Sequence, residues 1–200
     1  MADSKIDVTP LRRTVGAVAA LNFSYFWVEF AVALAIGSVA LFADSIDFLE
    51  DATVNVLVLL ALGWSAQRRR VVGLLLAVLL TIPGLSAIWT AADKLLSPTA
   101  TVPEPVALTL AGGGALIVNA IAALLLARVR HHGGSLSLAA FLSARNDVMA
   151  NVAIIAAGLM TAATHSYWPD LIVGVGIAAL NFGSAREVYE AAMEPDEAQP

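Results

Sequence analysis

Ile36-Gly37-Ser38-Val39-Ala40-Leu41-Phe42-Ala43-Asp44-Ser45-Ile46-Asp47-Phe48-Leu49-Glu50-Asp51 places four carboxylates inside an otherwise apolar stretch. At 100° per residue, Asp44, Asp47, Glu50 and Asp51 fall within an arc of about 120° on a helix, and Phe42, Ile46, Leu49 and Thr53 occupy the other side. The apolar run from residue 38 to 62 is long enough to cross a hydrocarbon core of about 30 Å at about 1.5 Å per residue. A carboxylate at bilayer depth costs about 2.5–3.5 kcal/mol even on the lenient insertion scale. A stripe of them therefore does not face lipid. It faces a polar cavity, cations, or other acids that share protons.

The rest of the chain supports the same reading. Of 200 residues, 59% are hydrophobic and 14% charged, with mean hydropathy +0.80; a soluble domain of this length carries about 25% charged residues. Apolar spans are expected near 14–36, 38–62, 71–93, 106–128, 137–163 and 168–188, broken at Gly37, Trp64 to Arg70, Ser97 to Pro105, Arg128 to Ser135 and His165 to Pro169. The first is too long for a signal peptide and carries Glu29. The expected fold is an all-α integral membrane protein of six transmembrane helices. A cytoplasmic segment 1–13 precedes a transmembrane domain 14–188, and a short acidic cytoplasmic tail 189–200 follows. With six spans, nine of the eleven basic residues lie on one side, among them Arg12, Arg13, Arg68, Arg69, Arg70 and Arg128. The excess of Lys and Arg marks that side as cytoplasmic, so both termini are expected there, in a multi-pass cell-membrane protein. With no cysteine in the chain, disulfides and thiolate metal sites are excluded.

The fifth span offers a matching face. Ser143, Asn146, Asp147 and Asn151 fall within an arc of about 140°, and every one of these side chains offers oxygen. Carboxylates at i and i+4 lie about 6 Å apart along a helix axis. Two such faces opposed can close on a divalent cation, with protons competing for the same oxygens. Asp44, Glu50, Asn146 and Asn151 are expected to line the access path or to support the ligands. Arg145 points away from that face and is expected to pair with a buried acid such as Glu29 or Glu50. Asn22, Asn55, Asn119 and Asn181 read as hydrogen-bonding links between helices, and Gly112–Gly114 as a site of close helix packing rather than a phosphate loop. The adjacent His131 and His132 diverge on a helix and read as loop residues, as does His165.

These residues resemble the cation diffusion facilitator family, and the likeness covers most of the chain. The run from Gly37 to Asp47 is similar to the family's glycine-serine-x-alanine-leucine-x-alanine-aspartate motif, which leads into a His/Asp-x-x-x-Asp pair; Asp47 and Asp51 stand on its two ligand positions. Asn146-Asp147-Val148-Met149-Ala150-Asn151 resembles the second motif, with Asp147 on its aspartate and Ser143 on the ligand position four residues earlier. Pro169-Asp170 is also typical of the family. The resemblance implies a divalent metal transporter, not an enzyme, that exports from the cytoplasm by proton-coupled alternating access. Metal ions and protons would be its partners, in a lipid bilayer, with no nucleic acid and no resident cofactor. It admits a homodimer as well. The alternative is a metal-binding or regulatory membrane subunit that does not transport.

Two departures from the family stand out. Ser143 replaces the usual histidine or aspartate, which leaves the serine hydroxyl, Asn146 or water as the fourth ligand. The family's cytoplasmic C-terminal domain has no counterpart in these 200 residues, so the expectation is a short form. An oxygen-only site suits manganese or iron by ligand preference while intrinsic affinity favours zinc, so zinc, cobalt, cadmium, manganese and iron all stay open.

Overall fold

Gly37 decides how the first two apolar runs meet. Its φ of 65° lies in the left-handed region, which glycine adopts without the Cβ clash, so one helix ends and the next starts within three residues. The computed structural model describes residues 9–61, 66–97, 100–129 and 134–193. They form six helices: α1 (Thr9–Ile36), α2 (Val39–Ala61), α3 (Ala66–Leu96), α4 (Pro105–Val129), α5 (Gly134–Thr164) and α6 (Trp168–Met193). Among the described residues there is no strand. The six helices fall on the six apolar runs. The histidine pair His131 and His132 and the end of the acidic tail from Glu194 lie outside the described residues.

Local chemistry explains where the helices begin. Glu104 caps α4: its carboxylate accepts from the backbone N–H of Val106 at 3.0 Å and Ala107 at 2.5 Å, while Pro105 takes the first helical position, where no N–H is needed. Among the described residues, three segments, Pro10–Ile36, Pro105–Val129 and Ala144–Thr164, are long and apolar enough to cross a membrane, and Trp168–Leu180 is a shorter apolar one. The acids of α2 keep it out of that group, and so it depends on its neighbours.

It has many. α2 packs against all five other helices, α1 most extensively. α1 also packs on α4, and α4 on α5, while α3 pairs chiefly with α6. One buried cluster, including Ala33, Leu41, Ala87, Leu108, Ile154 and Ile177, draws a side chain from every helix. Small residues permit the close approaches. A Cβ on Gly112 would sit 2.7 Å from the Ile154 Cγ2, and one on Gly174 would sit 2.6 Å from the backbone carbonyl carbon of Val39. In span four, Gly112 and Gly114 are thus packing residues, Gly114 lying against the Tyr25 side chain, whereas a Cβ on Gly113 would meet nothing within 4 Å.

Because the obstacle at Gly174 is backbone and cannot swing aside, Gly174→Ala forces α6 away from the start of α2. A loss of about 1–3 kcal/mol is expected, readable as a lower melting temperature in detergent. Gly176→Ala, whose added Cβ meets nothing within 4 Å, serves as the control and does not lower it.

Candidate metal-transport site

The helix packing turns the acidic face of α2 toward α1 and α5, and the polar groups meet there at two levels. At the first level, Asn22 of α1 donates from Nδ2 to Asp51 Oδ2 at 3.2 Å, and Asp147 of α5 lies within hydrogen-bonding reach of Asp51. Among the other acids, Asp147 is the strongest electrostatic neighbour of Asp47. Asp47, Asp51 and Asp147 are half-buried, whereas Glu50 is buried beside Asp51. Asp147 Oδ2 is shut away from solvent with no hydrogen-bond partner.

The second level lies nearer Gly37. Asn151 donates from Nδ2 to Asp44 Oδ2 at 2.7 Å, and its Oδ1 accepts from Asn119 Nδ2 of α4 at 3.0 Å. Asp44 and Asn151 are both fully buried. Glu29 of α1, also fully buried, is within hydrogen-bonding reach of Asp44.

The structure thus gathers Asp47, Asp51 and Asp147 on facing surfaces of α2 and α5, with Asp44 and Asn151 directly bonded beside them. Among the described residues, no three His, Asp or Glu side chains converge closely enough to hold a metal ion as they stand. The carboxylates line a strip and do not form a closed cage. Asn146 is exposed, and no described hydrogen bond ties it to the acids. Ser143 lies in α5, but its side chain is outside the described residues.

Arg145 corrects an expectation. It is exposed, and among the described residues it pairs with neither Glu29 nor Glu50. The described ion pair is elsewhere, between Lys94 of α3 and Asp170 of α6, at 3.2 Å, with side chains 8% and 0% exposed. Asp170 accepts from Ser38 Oγ at 2.5 Å and from the backbone N–H of Val39 at 3.0 Å and Ala40 at 3.1 Å, while Ser38 Oγ accepts from Leu41 N at 3.1 Å. The first three N–H groups of α2 are therefore satisfied, two of them by a carboxylate borrowed from α6, and the positive end of the α2 dipole faces a negative charge. Lys94 also donates to the Gly37 carbonyl at 2.7 Å, tying α3 to the same corner.

Asn22 and Asn119 bridge helices as expected, but Asn55 donates to Asp51 O within its own helix at 2.7 Å. The Asn181 side chain lies outside the described residues.

Six helices, one of them carrying a stripe of buried acids matched by an aspartate and an asparagine on another, agree with the sequence comparison, in which residues 15–193 match the cation efflux transmembrane domain. The chain belongs to the cation efflux transmembrane domain family. It is accordingly a cation transporter of the membrane, and the family is not one of enzymes. A search of curated proteins finds no match to this chain. Within this cation efflux domain, sequence reasoning located the α2 and α5 acids. It gave Asn22 no tie to a particular acid and gave Lys94 no partner. Its one signal for the capping role of Asp170 was the Pro169-Asp170 pair at the start of a helix.

Proposed function

We propose that the protein carries a divalent metal cation out of the cytoplasm, with protons as counter-ions, and that Asp47, Asp51 and Asp147 bind it at the first level of the polar strip. The observation that carries this reading is the meeting of α2 and α5 acids within hydrogen-bonding reach of one another, with no described basic residue between them. Acidic oxygens brought this close inside a membrane domain require a positive charge between them, supplied by a metal or by protons. Exchange of the two is a transport chemistry. The incoming cation draws the three carboxylates from the open strip into a closed set, and protons release it when the bundle opens to the other side. Asn22 fixes the orientation of Asp51 in this scheme, as groups behind a metal ligand generally do. The cytoplasmic side is the one carrying the amino terminus of α1 and the carboxy terminus of α6.

The test is uptake of Zn²⁺, Mn²⁺, Co²⁺, Cd²⁺ and Fe²⁺ into vesicles containing the purified protein, with and without an opposing proton gradient. Uptake that saturates and dissipates the gradient is the expected result. Binding without uptake would favour a non-transporting metal-binding subunit.

Metal choice turns on position 143. Ser143 stands one turn before Asp147 in α5, where an imidazole would add a nitrogen ligand that favours zinc over manganese or iron. Ser143→His is expected to shift relative uptake toward Zn²⁺ in a competition assay at fixed pH. An unchanged ranking in a folded variant would remove position 143 from the site.

A further inference from the structure

The second level of the strip has an unmet demand of its own. Glu29 is 0% exposed, and neither of its carboxyl oxygens has a hydrogen-bond partner; Asp44, also 0% exposed, has Oδ1 without one. The two carboxyl groups nevertheless lie within hydrogen-bonding reach of each other. The surrounding donors are committed elsewhere. Asn151 Nδ2 serves Asp44 Oδ2, Asn119 Nδ2 serves Asn151, and the Tyr25 hydroxyl, close enough to feel both acids, donates to Ala111 O at 2.7 Å. Asn119 Oδ1, on a side chain 2% exposed, is also without a partner. Among the described residues no Lys, Arg or His pairs with either acid.

The spacing of this level repeats the spacing of the first. Asn22 and Asp51 meet across the antiparallel α1–α2 pair; adding seven to the first (22 + 7 = 29) and subtracting seven from the second (51 − 7 = 44) reaches Glu29 and Asp44. Seven residues rise about 10 Å along a helix. On α5, Asn151 stands four residues, about 6 Å, beyond Asp147 in the same direction. A cation leaving the first level toward the Gly37 end of the bundle therefore meets a second buried pair of acids on the same helices.

We propose that Glu29 and Asp44 form a second cation position, a stop for a divalent ion between the Asp47, Asp51 and Asp147 site and the Gly37 end of the bundle. The carboxyl oxygens of Glu29 and the free Oδ1 of Asp44 bind the ion, and the Asn119–Asn151 chain holds Asp44 in place. Only the identity of this ion as the transported cargo rests on the function proposed above; binding at the position does not.

Mn²⁺ is the probe, counted per chain by equilibrium dialysis on the detergent-purified, full-length protein. The double variant Asp47→Asn/Asp147→Asn loses the first position and is expected to retain one Mn²⁺ per chain. Adding Glu29→Gln, which keeps the size of the side chain and removes its charge, is expected to remove that last ion. No Mn²⁺ on the double variant, with binding by the wild-type protein intact, would overturn the second position, leave the first standing, and mean that a shared proton joins Glu29 to Asp44. No binding by the wild type at all would overturn both. If the triple variant does not fold, Asp44→Asn in the double-variant background makes the same removal. Mn²⁺ retained in either folded triple variant places the ion elsewhere and sinks the proposal.

Discussion

Asp51→Asn and Asp147→Asn proteins, reconstituted in vesicles, are expected to take up no more divalent cation than protein-free vesicles. Each substitution keeps the size of the side chain and one oxygen, so Asp51→Asn still offers Asn22 an acceptor. What it removes is the negative charge that binds the cation. Losing a group that merely supports a metal ligand costs roughly 10–100-fold, and losing the ligand itself is expected to cost more. Asn22→Ala is expected to fall in that intermediate range, because it frees Asp51 to turn without changing its charge. The order wild type, Asn22→Ala, Asp51→Asn, measured as initial uptake rates on protein of equal monodispersity, checks the assignment. Wild-type rates in both aspartate variants would place the site elsewhere.

Asp170→Ala is expected to produce the largest loss of stability of any single substitution outside the acidic strip. It strands Lys94, 8% exposed, without its anion, and strips the acceptor from Ser38 Oγ and from the N–H groups of Val39 and Ala40. Breaking one side of a buried ion pair costs about 3–5 kcal/mol. In a chain of this size that corresponds to a melting temperature lower by roughly 10 °C. Asp170→Asn, which keeps a carbonyl oxygen for the cap, should lose less. Asp170→Ala with Lys94→Met should recover part of the loss, because no charge is then left buried alone. Equal melting temperatures for Asp170→Ala and wild type would show that the corner contributes nothing.

Much of this was legible in the sequence, for reasons that differ by residue. The six helices were readable because apolar length is a property of consecutive residues, and Gly37, Pro105 and Pro169 punctuate it. The α2 stripe was readable because Asp44, Asp47, Glu50 and Asp51 share a face of one helix whatever lies opposite. Partnership across helices was not readable, because periodicity gives a face but not the azimuth of its neighbour. Arg145 was therefore expected to meet a buried acid, yet it faces outward, and among the described residues the buried cation proved to be Lys94. Asn55 was expected to reach across and instead turns back to its own helix. Glu29 was recognised as misplaced in an apolar span, but that it meets Asp44 depends on the register of α1 against α2, which Gly37 and Ser38 set in three dimensions.

The dependence of α2 on every other helix bears on how the protein is made. Synthesis delivers α1 first, and α1 can offer Asn22 to Asp51 as soon as the tight turn at Gly37 folds the two helices into a hairpin. The partner of Asp44, Asn151, is supplied by α5, and the cap on Val39 and Ala40 comes from Asp170, at the start of the last helix. A nascent chain released after α4 would hold an acid-bearing helix with its leading N–H groups only partly satisfied and Asp44 without Asn151. The finished bundle is thus sealed by its final segments: α2 has its full set of polar partners only once α5 and α6 are in place.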